Sequence, residues 1–275
     1  MQFGKYYYWY GEDRRENHYV SCYRSEDLRS WEFRNHILTT HSAISFLPQA
    51  STASLKRAVT GKKVNIERPK VIYCKKTGKY ILWAHYENGR NYRKAAACVA
   101  SCDSPDGDFI FHGAFRPFGN MSRDCTLFQD CEAAYFISAA NNNQDLKVYL
   151  LTDDYLGVKK EAATLWPGAS REAPVVFRRN GLYYMLTSAC TGWSPNQGKY
   201  AVSNQLSGGW SDLQDFGDAT TFDSQPTWVI EREGKYIYIG DRWGGDGARY
   251  FDSTYVFLEI QFDGDKPSVH YADSY

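Results

Sequence analysis

The chain has 275 residues, a formal net charge of zero from 32 basic and 32 acidic side chains, and an aromatic content of 16% led by 22 tyrosines. That length buries a full core, as one large β domain or two small ones. The charge balance argues against a nucleic-acid partner and against an anionic membrane surface, both of which require a basic face, and no apolar run is long enough to read as a membrane-spanning helix.

The N-terminal stretch MQFGKYYYWYGE lacks the charged-then-apolar layout of a secretory leader, so the compartment is not read from it. At Gly4 begins a turn followed by an aromatic and β-branched strand, GKYYYWYG, and this marker recurs as GKYILWAH at Gly78, EAAYFISA at Glu132, GLYYMLTS at Gly181 and GKYIYIGD at Gly234. The last four copies start roughly fifty residues apart. The first interval is longer, and its excess, 39–65, reads as a long polar loop. Before the last four markers lies a further strand: ERPKVIY, RDCTLFQD, REAPVVFRR and QPTWVIERE. After most of them come another strand and a polar turn, as in VSCYRSEDLRSWEF, CVASCDSPDGDFIF, VYLLTDDYLG and YAVSNQLSGGWSDL. The C-terminal YVFLEIQFDGDKPSVHYADSY supplies the closing strands of the last unit.

A four-stranded unit repeated five times at this period predicts an all-β, five-bladed β-propeller filling 1–275 as one domain. Helical periodicity is almost absent, and a β-sandwich does not repeat one unit in this way. Counting back from Gly4 leaves no room for the strand that precedes the other markers, so the first blade is expected to lack its innermost strand. The seven cysteines (22, 74, 98, 102, 125, 131 and 190) show no zinc-type spacing and are expected mainly as buried thiols, with one or two disulfides left open. No metal constellation and no cofactor motif are read; the GGDG stretch at 244–247 lacks the context of a phosphate loop.

In a propeller the innermost strands line a central channel, and their first residues here are Glu67, Asp124, Glu172 and Gln225. A lone Glu before a Pro is most often a turn residue. Four polar residues at equivalent positions point instead to a site, in which like charge and desolvation hold a carboxyl protonated for acid catalysis. Loops rich in aromatics and amides add candidates: WYGED, GRNYRK, AANNNQD, CTGWSPN and DRWGGDG, with Trp193 and Trp243 expected to be exposed.

In combination and in this order, YYWYGE, ERPKVIY, TGKYILWAH, SRDCTLF, TDDYL, EAPVVF, TSACTGWSPN, SQPTWV and GDRW resemble glycoside hydrolase family 43, in particular its exo-β-1,3-galactanase branch. The resemblance implies an inverting enzyme that needs no metal or cofactor and releases galactose from β-1,3-linked galacto-oligosaccharide or arabinogalactan. It also implies a secreted or periplasmic setting. Carried over by position, Glu172 is the general acid, Glu67 the carboxylate that raises and orients it, and Gln225 the amide that holds the attacking water. Glu12, Tyr92, Asp124, Asn142, Asn143, Thr191 and Trp193 would hold the galactose. The general-base Asp of most of the family has no counterpart here, and Cys125 follows Asp124 as a departure without an evident meaning. An α-L-arabinofuranosidase or β-xylosidase, and a sugar-binding propeller without turnover, remain the competing expectations.

Overall fold

A computed structural model of the chain describes residues 1–50, 53–56, 61, 63–131 and 133–272. Outside the described residues lie 51–52, 57–60 and 62 of the predicted loop, Glu132 of the third marker and 273–275 of the closing segment. The first sheet is β1 (Gln2–Phe3), β2 (Tyr6–Glu12), β3 (His18–Ser25) and β4 (Glu32–Thr39); the second is β5 (Asn65–Cys74), β6 (Lys79–Glu87), β7 (Ala96–Cys102) and β8 (Ile110–Phe115). The third holds β9 (Cys125–Asp130), β10 (Ala133–Ala140), β11 (Asp145–Leu151) and β12 (Val158–Leu165). The fourth holds β13 (Arg171–Arg179), β14 (Leu182–Ala189), β15 (Gly198–Ser203) and β16 (Gln214–Phe216), and the fifth β17 (Gln225–Arg232), β18 (Lys235–Arg242), β19 (Thr254–Asp263) and β20 (Lys266–Val269). Each sheet runs in simple sequence order. The fold class is the five-bladed β-propeller that the repeat predicts.

Turn chemistry sets the repeat. Asn180-Gly181 (φ 51° and 83°) and Glu233-Gly234 (φ 54° and 78°) are two-residue hairpin loops with both residues left-handed, the geometry that matches strand twist. The first blade refines the expectation of a missing inner strand. Its first position holds a strand of two residues, Gln2 opposite Tyr7 and Phe3 opposite Tyr6, where the other sheets have between six and ten. The predicted loop 39–65 agrees with β4 ending at Thr39 and β5 beginning at Asn65. Leu55 within it is buried, and the Tyr19 hydroxyl donates to its carbonyl.

The chain falls into two compact units, 1–141 with 149–161 and 142–148 with 162–275. In the first unit, alternate residues of β6 serve two cores. Leu82, Ala84 and Tyr86 join one cluster with Tyr19, Leu38 and Phe111, while Ile81 and Trp83 join another with Phe136 and Tyr149. Both faces of that sheet are therefore covered, which explains the nearly unbroken apolar run ILWA. The second unit has its own core around Val175, Tyr184, Leu186, Tyr238 and Leu258. None of the seven cysteines forms a disulfide; four are buried, and Cys131 and Cys190 are exposed.

Candidate active site

The same irregularity recurs in three of the strands that carry candidate residues. In β5, Glu67 lies opposite His85 but Lys70 lies opposite Trp83, so one extra residue sits on that strand. In β13 the shift falls between Glu172 (opposite Ser188) and Val175 (opposite Leu186), and in β17 between Pro226 and Trp228. The extra residue is accommodated by left-handed backbone at Arg68 (φ 54°) and Ala173 (φ 48°). A left-handed non-glycine residue costs roughly 1–2 kcal/mol, and such bulges re-aim the side chains beside them. The candidate residue beside the bulge is a carboxylate in β5 and β13, Glu67 and Glu172, and an amide in β17, Gln225.

In the first unit Glu67 is buried and surrounded by donors. Its Oε1 accepts from Arg14 Nη2 (3.0 Å), the Tyr92 hydroxyl (2.7 Å) and Asn65 Nδ2 (3.3 Å). Its Oε2 lies 3.2 Å from His85 Nδ1, an ion-pair distance. Burial alone would raise the Glu67 pKa, but His85, Arg14 and Tyr92 more than offset it and hold the carboxyl down at about 2. Glu12 is joined to this group through Arg14, whose Nε donates to it at 2.6 Å. Asp124 stands apart from Glu67 in its bonding: it pairs with the buried Arg68 at 3.3 Å, and its carbonyl accepts from Ala139 N. Tyr92 is 44% exposed, so a side chain open to ligand has its hydroxyl committed to Glu67.

In the second unit Glu172 is half-buried, and each carboxylate oxygen takes one amide. Gln225 Nε2 donates to Oε1 at 3.1 Å and Asn143 Nδ2 donates to Oε2 at 2.9 Å. Gln225 Nε2 also donates to Ser188 Oγ at 2.9 Å, and its Oε1 accepts from the Trp243 indole N–H at 2.9 Å. An indole N–H only donates, so the amide oxygen must face Trp243 and the NH₂ must face the carboxylate. An amide that holds water for inversion stands about 6.5–9.5 Å from the acid, whereas Gln225 touches Glu172 directly.

Asn142 (φ 56°, exposed) and Asn143 (φ 65°) both have left-handed backbone, a conformation that Asn tolerates well. Asn143 Oδ1 is a buried acceptor without a donor among the described residues. Thr191 is exposed; its hydroxyl donates to Ser194 O (2.6 Å) and accepts from Asn196 Nδ2 (2.7 Å), which ties the CTGWSPN loop together. Trp193 and Trp243 are half-buried rather than exposed, pack edge-on at 5.5 Å, and the Trp193 indole donates to Asp246.

The model of the glycosyl hydrolases family 43 matches residues 1–235. The chain belongs to glycosyl hydrolase family 43. Among solved structures it is similar to an exo-β-1,3-galactanase from Clostridium thermocellum, at 44% identity and a TM-score of 0.87, over 98% of this chain and 60% of that one. It is also similar to an exo-β-1,3-galactanase from Phanerochaete chrysosporium solved with galactose, at 32% identity and a TM-score of 0.85, over 99% and 62%. A family 43 β-1,3-galactosidase solved with galactodeoxynojirimycin matches at 28% identity and a TM-score of 0.86, over 100% and 93%. This family 43 chain thus spans about six tenths of the length of the first two. No curated protein sequence matches it.

Sequence reasoning passes over several residues that this family 43 chain sets beside the candidates: Arg14, His85 and Glu87 around Glu67 in the first unit, and Ser188 beside Gln225 in the second. His85 and Ser188 are the cross-strand partners of Glu67 and Glu172, so a register count from the marker glycines leads to them. Spacing also gives no hint of the cluster Asp13, His18 and His36, whose donor atoms lie within 4.8 Å of one another. Arg15 already holds both Asp13 oxygens, Nε to Oδ1 at 3.0 Å and Nη2 to Oδ2 at 2.8 Å. Ser21 Oγ donates to Oδ2 at 2.6 Å and lies 2.9 Å from His36 Nδ1. A guanidinium stands where a cation would bind. Despite burial, hydrogen bonds from Arg15 and Ser21 hold the Asp13 carboxyl well below its usual range.

Proposed function

We propose that the chain is an exo-acting, inverting hydrolase that releases galactose from β-1,3-galactan, with Glu172 as general acid. The observation that carries this reading is the Glu172–Asn143 contact. Asn143 gives its NH₂ to the carboxylate and keeps a buried oxygen without a donor among the described residues, so a ligand hydroxyl beside Glu172 would complete it. Family membership and the likeness to β-1,3-galactanases support galactose as the bearer of that hydroxyl.

Two amide donors favour the ionised carboxylate. An acid must instead give its proton, so one contact yields to the glycosidic oxygen when substrate enters. Glu172 then protonates that oxygen as the bond to C1 breaks, and water adds from the opposite face. Gln225 is proposed to orient the acid before substrate arrives, and any hold on the water requires it to leave Glu172 first. Glu67 is kept ionised by its own donors, and the family resemblance alone assigns it the role of raising the acid's pKa. Glu12, Tyr92, Asp124, Asn142, Asn143, Thr191 and Trp193 are proposed to contact sugar.

The test is galactose release from β-1,3-galactobiose by the wild type and by Glu172→Gln. The wild type should turn over, and the variant should lose at least about a thousandfold in kcat on this poor leaving group. It should still bind galactobiose. Binding by the wild type without release would replace this reading with a sugar-binding protein, and near-normal turnover by Glu172→Gln would remove the acid assignment.

A further inference from the structure

His85 and Glu87 are each 1% exposed, and the mechanism above uses neither. They are consecutive same-face residues at the end of β6 and follow its apolar run Ile81–Ala84. His85 Nδ1 lies 3.2 Å from Glu67 Oε2, an ion-pair contact without hydrogen-bond alignment, and its Nε2 is hydrogen-bonded to Glu87 Oε1 at 3.0 Å. With Arg14 bridging Glu12 and Glu67, five side chains form one file of alternating sign: Glu12, Arg14, Glu67, His85, Glu87. An imidazole between two carboxylates in a buried site is held as imidazolium, since neutral imidazole would leave two buried negative charges adjacent to it.

Glu87 also reaches backward. Its Oε1 accepts the backbone N–H of Ala95 and its Oε2 that of Lys94, each at 2.9 Å. Those N–H groups close the loop that follows β6, and the loop carries Tyr92, whose hydroxyl returns to Glu67 at 2.7 Å. Arg116 and Arg123 fasten the same loop from outside, through the carbonyls of Arg93, Lys94 and Tyr92. The circuit from Glu67 through His85 and Glu87 to the loop and back through Tyr92 is closed.

We propose that Glu87 is a positioning residue that sets two partners at once: through His85 it fixes the charge on Glu67, and through the Lys94 and Ala95 amides it fixes the loop that presents Tyr92. Its bearing on sugar binding rests on the function proposed above, whereas the charge and loop claims stand without it.

Three measurements on the full chain decide it. In a carbon-13 histidine titration of the wild type, one of the six imidazoles should stay charged beyond pH 8, and in Glu87→Gln that imidazole should give up its proton at least tenfold more readily. The amides of Lys94 and Ala95 should exchange with solvent at least a hundredfold more slowly than in an unstructured peptide. KM for β-1,3-galactobiose should rise about tenfold in Glu87→Gln, kcat should change less, and Glu87→Asp should restore part of KM. A His85 imidazole neutral at pH 7 in the wild type, or Lys94 and Ala95 amides exchanging at the peptide rate, overturns the proposal even if the variant does not fold. A folded Glu87→Gln with wild-type titration and KM overturns it equally. The titration and exchange need no turnover, so an inactive wild type sinks the proposed function while these two still decide the role of Glu87.

Discussion

Among the partners of Gln225 are Glu172, Ser188 and Trp243, and the last determines what the other two can be. Because Trp243 offers only a donor, the amide oxygen is taken and the NH₂ is left for Glu172 and Ser188. Trp243→Phe keeps most of the ring and removes the N–H, which frees the amide to turn over. A hydrogen bond of this kind contributes roughly 1 kcal/mol, so kcat on galactobiose should fall about fivefold to tenfold with KM changed less. An unchanged kcat would mean that Gln225 orientation does not matter. Glu67, Glu172 and Gln225 are legible in the sequence because each stands at or within two residues of the start of the strand before a marker. The pairing of the last two is not legible: that Gln225 donates to Glu172 depends on the Trp243 indole, which stands 18 residues further along the chain.

At the scale of strands, the bulges explain why a short motif, carboxylate then left-handed residue then proline, marks a site. The repeat period, the marker turns and the segment 39–65 are all readable, since glycine placement and β-branched runs are local signals. The two-residue β1 escapes such reading because no local pattern distinguishes Gln2 and Phe3 from a loop; only pairing with Tyr6 and Tyr7 makes them a strand. One further position tests how closely β17 and β18 fit. Gly240 lies opposite Pro226, and a Cβ there would meet Ser224 Oγ at 2.5 Å and the Tyr238 hydroxyl at 2.6 Å. Gly240→Ala should therefore destabilise by roughly 1–3 kcal/mol, read as a lower urea midpoint. Since Ser224 immediately precedes Gln225, turnover should fall as well. A wild-type midpoint would show that β17 moves aside at no cost.

Across the whole molecule, the buried file of charges predicts how stability depends on pH. Burial opposes the charged form of His85, but Glu67 and Glu87 raise its pKa from 6.5 to about 9; against the same opposition from burial, His85, Arg14 and Tyr92 lower that of Glu67 from 4.5 to about 2. A raised folded-state pKa stabilises fully below the unfolded value and fades as pH climbs to the folded one, and a lowered pKa does the reverse. The combined contribution is thus complete between pH 4.5 and 6.5, decays toward 2 on one side and toward 9 on the other. Urea midpoints should decline between pH 6.5 and 9 in the wild type, and His85→Gln should lack that decline. A wild-type midpoint flat across this interval would mean that His85 carries no extra proton in the folded state.

The thiols lend the molecule a use of a different kind. Cys190 is exposed, and its Sγ lies 3.4 Å from Ser170 O and 3.9 Å from the backbone oxygen of Asn143, the amide partner of Glu172. The other exposed thiol, Cys131, sits at the turn between β9 and β10. A fluorescent maleimide would mark these two before the buried four, and the rate at Cys190 would slow whenever an occupant covers Asn143. The protein carries its own optical gauge of occupancy, at a natural side chain.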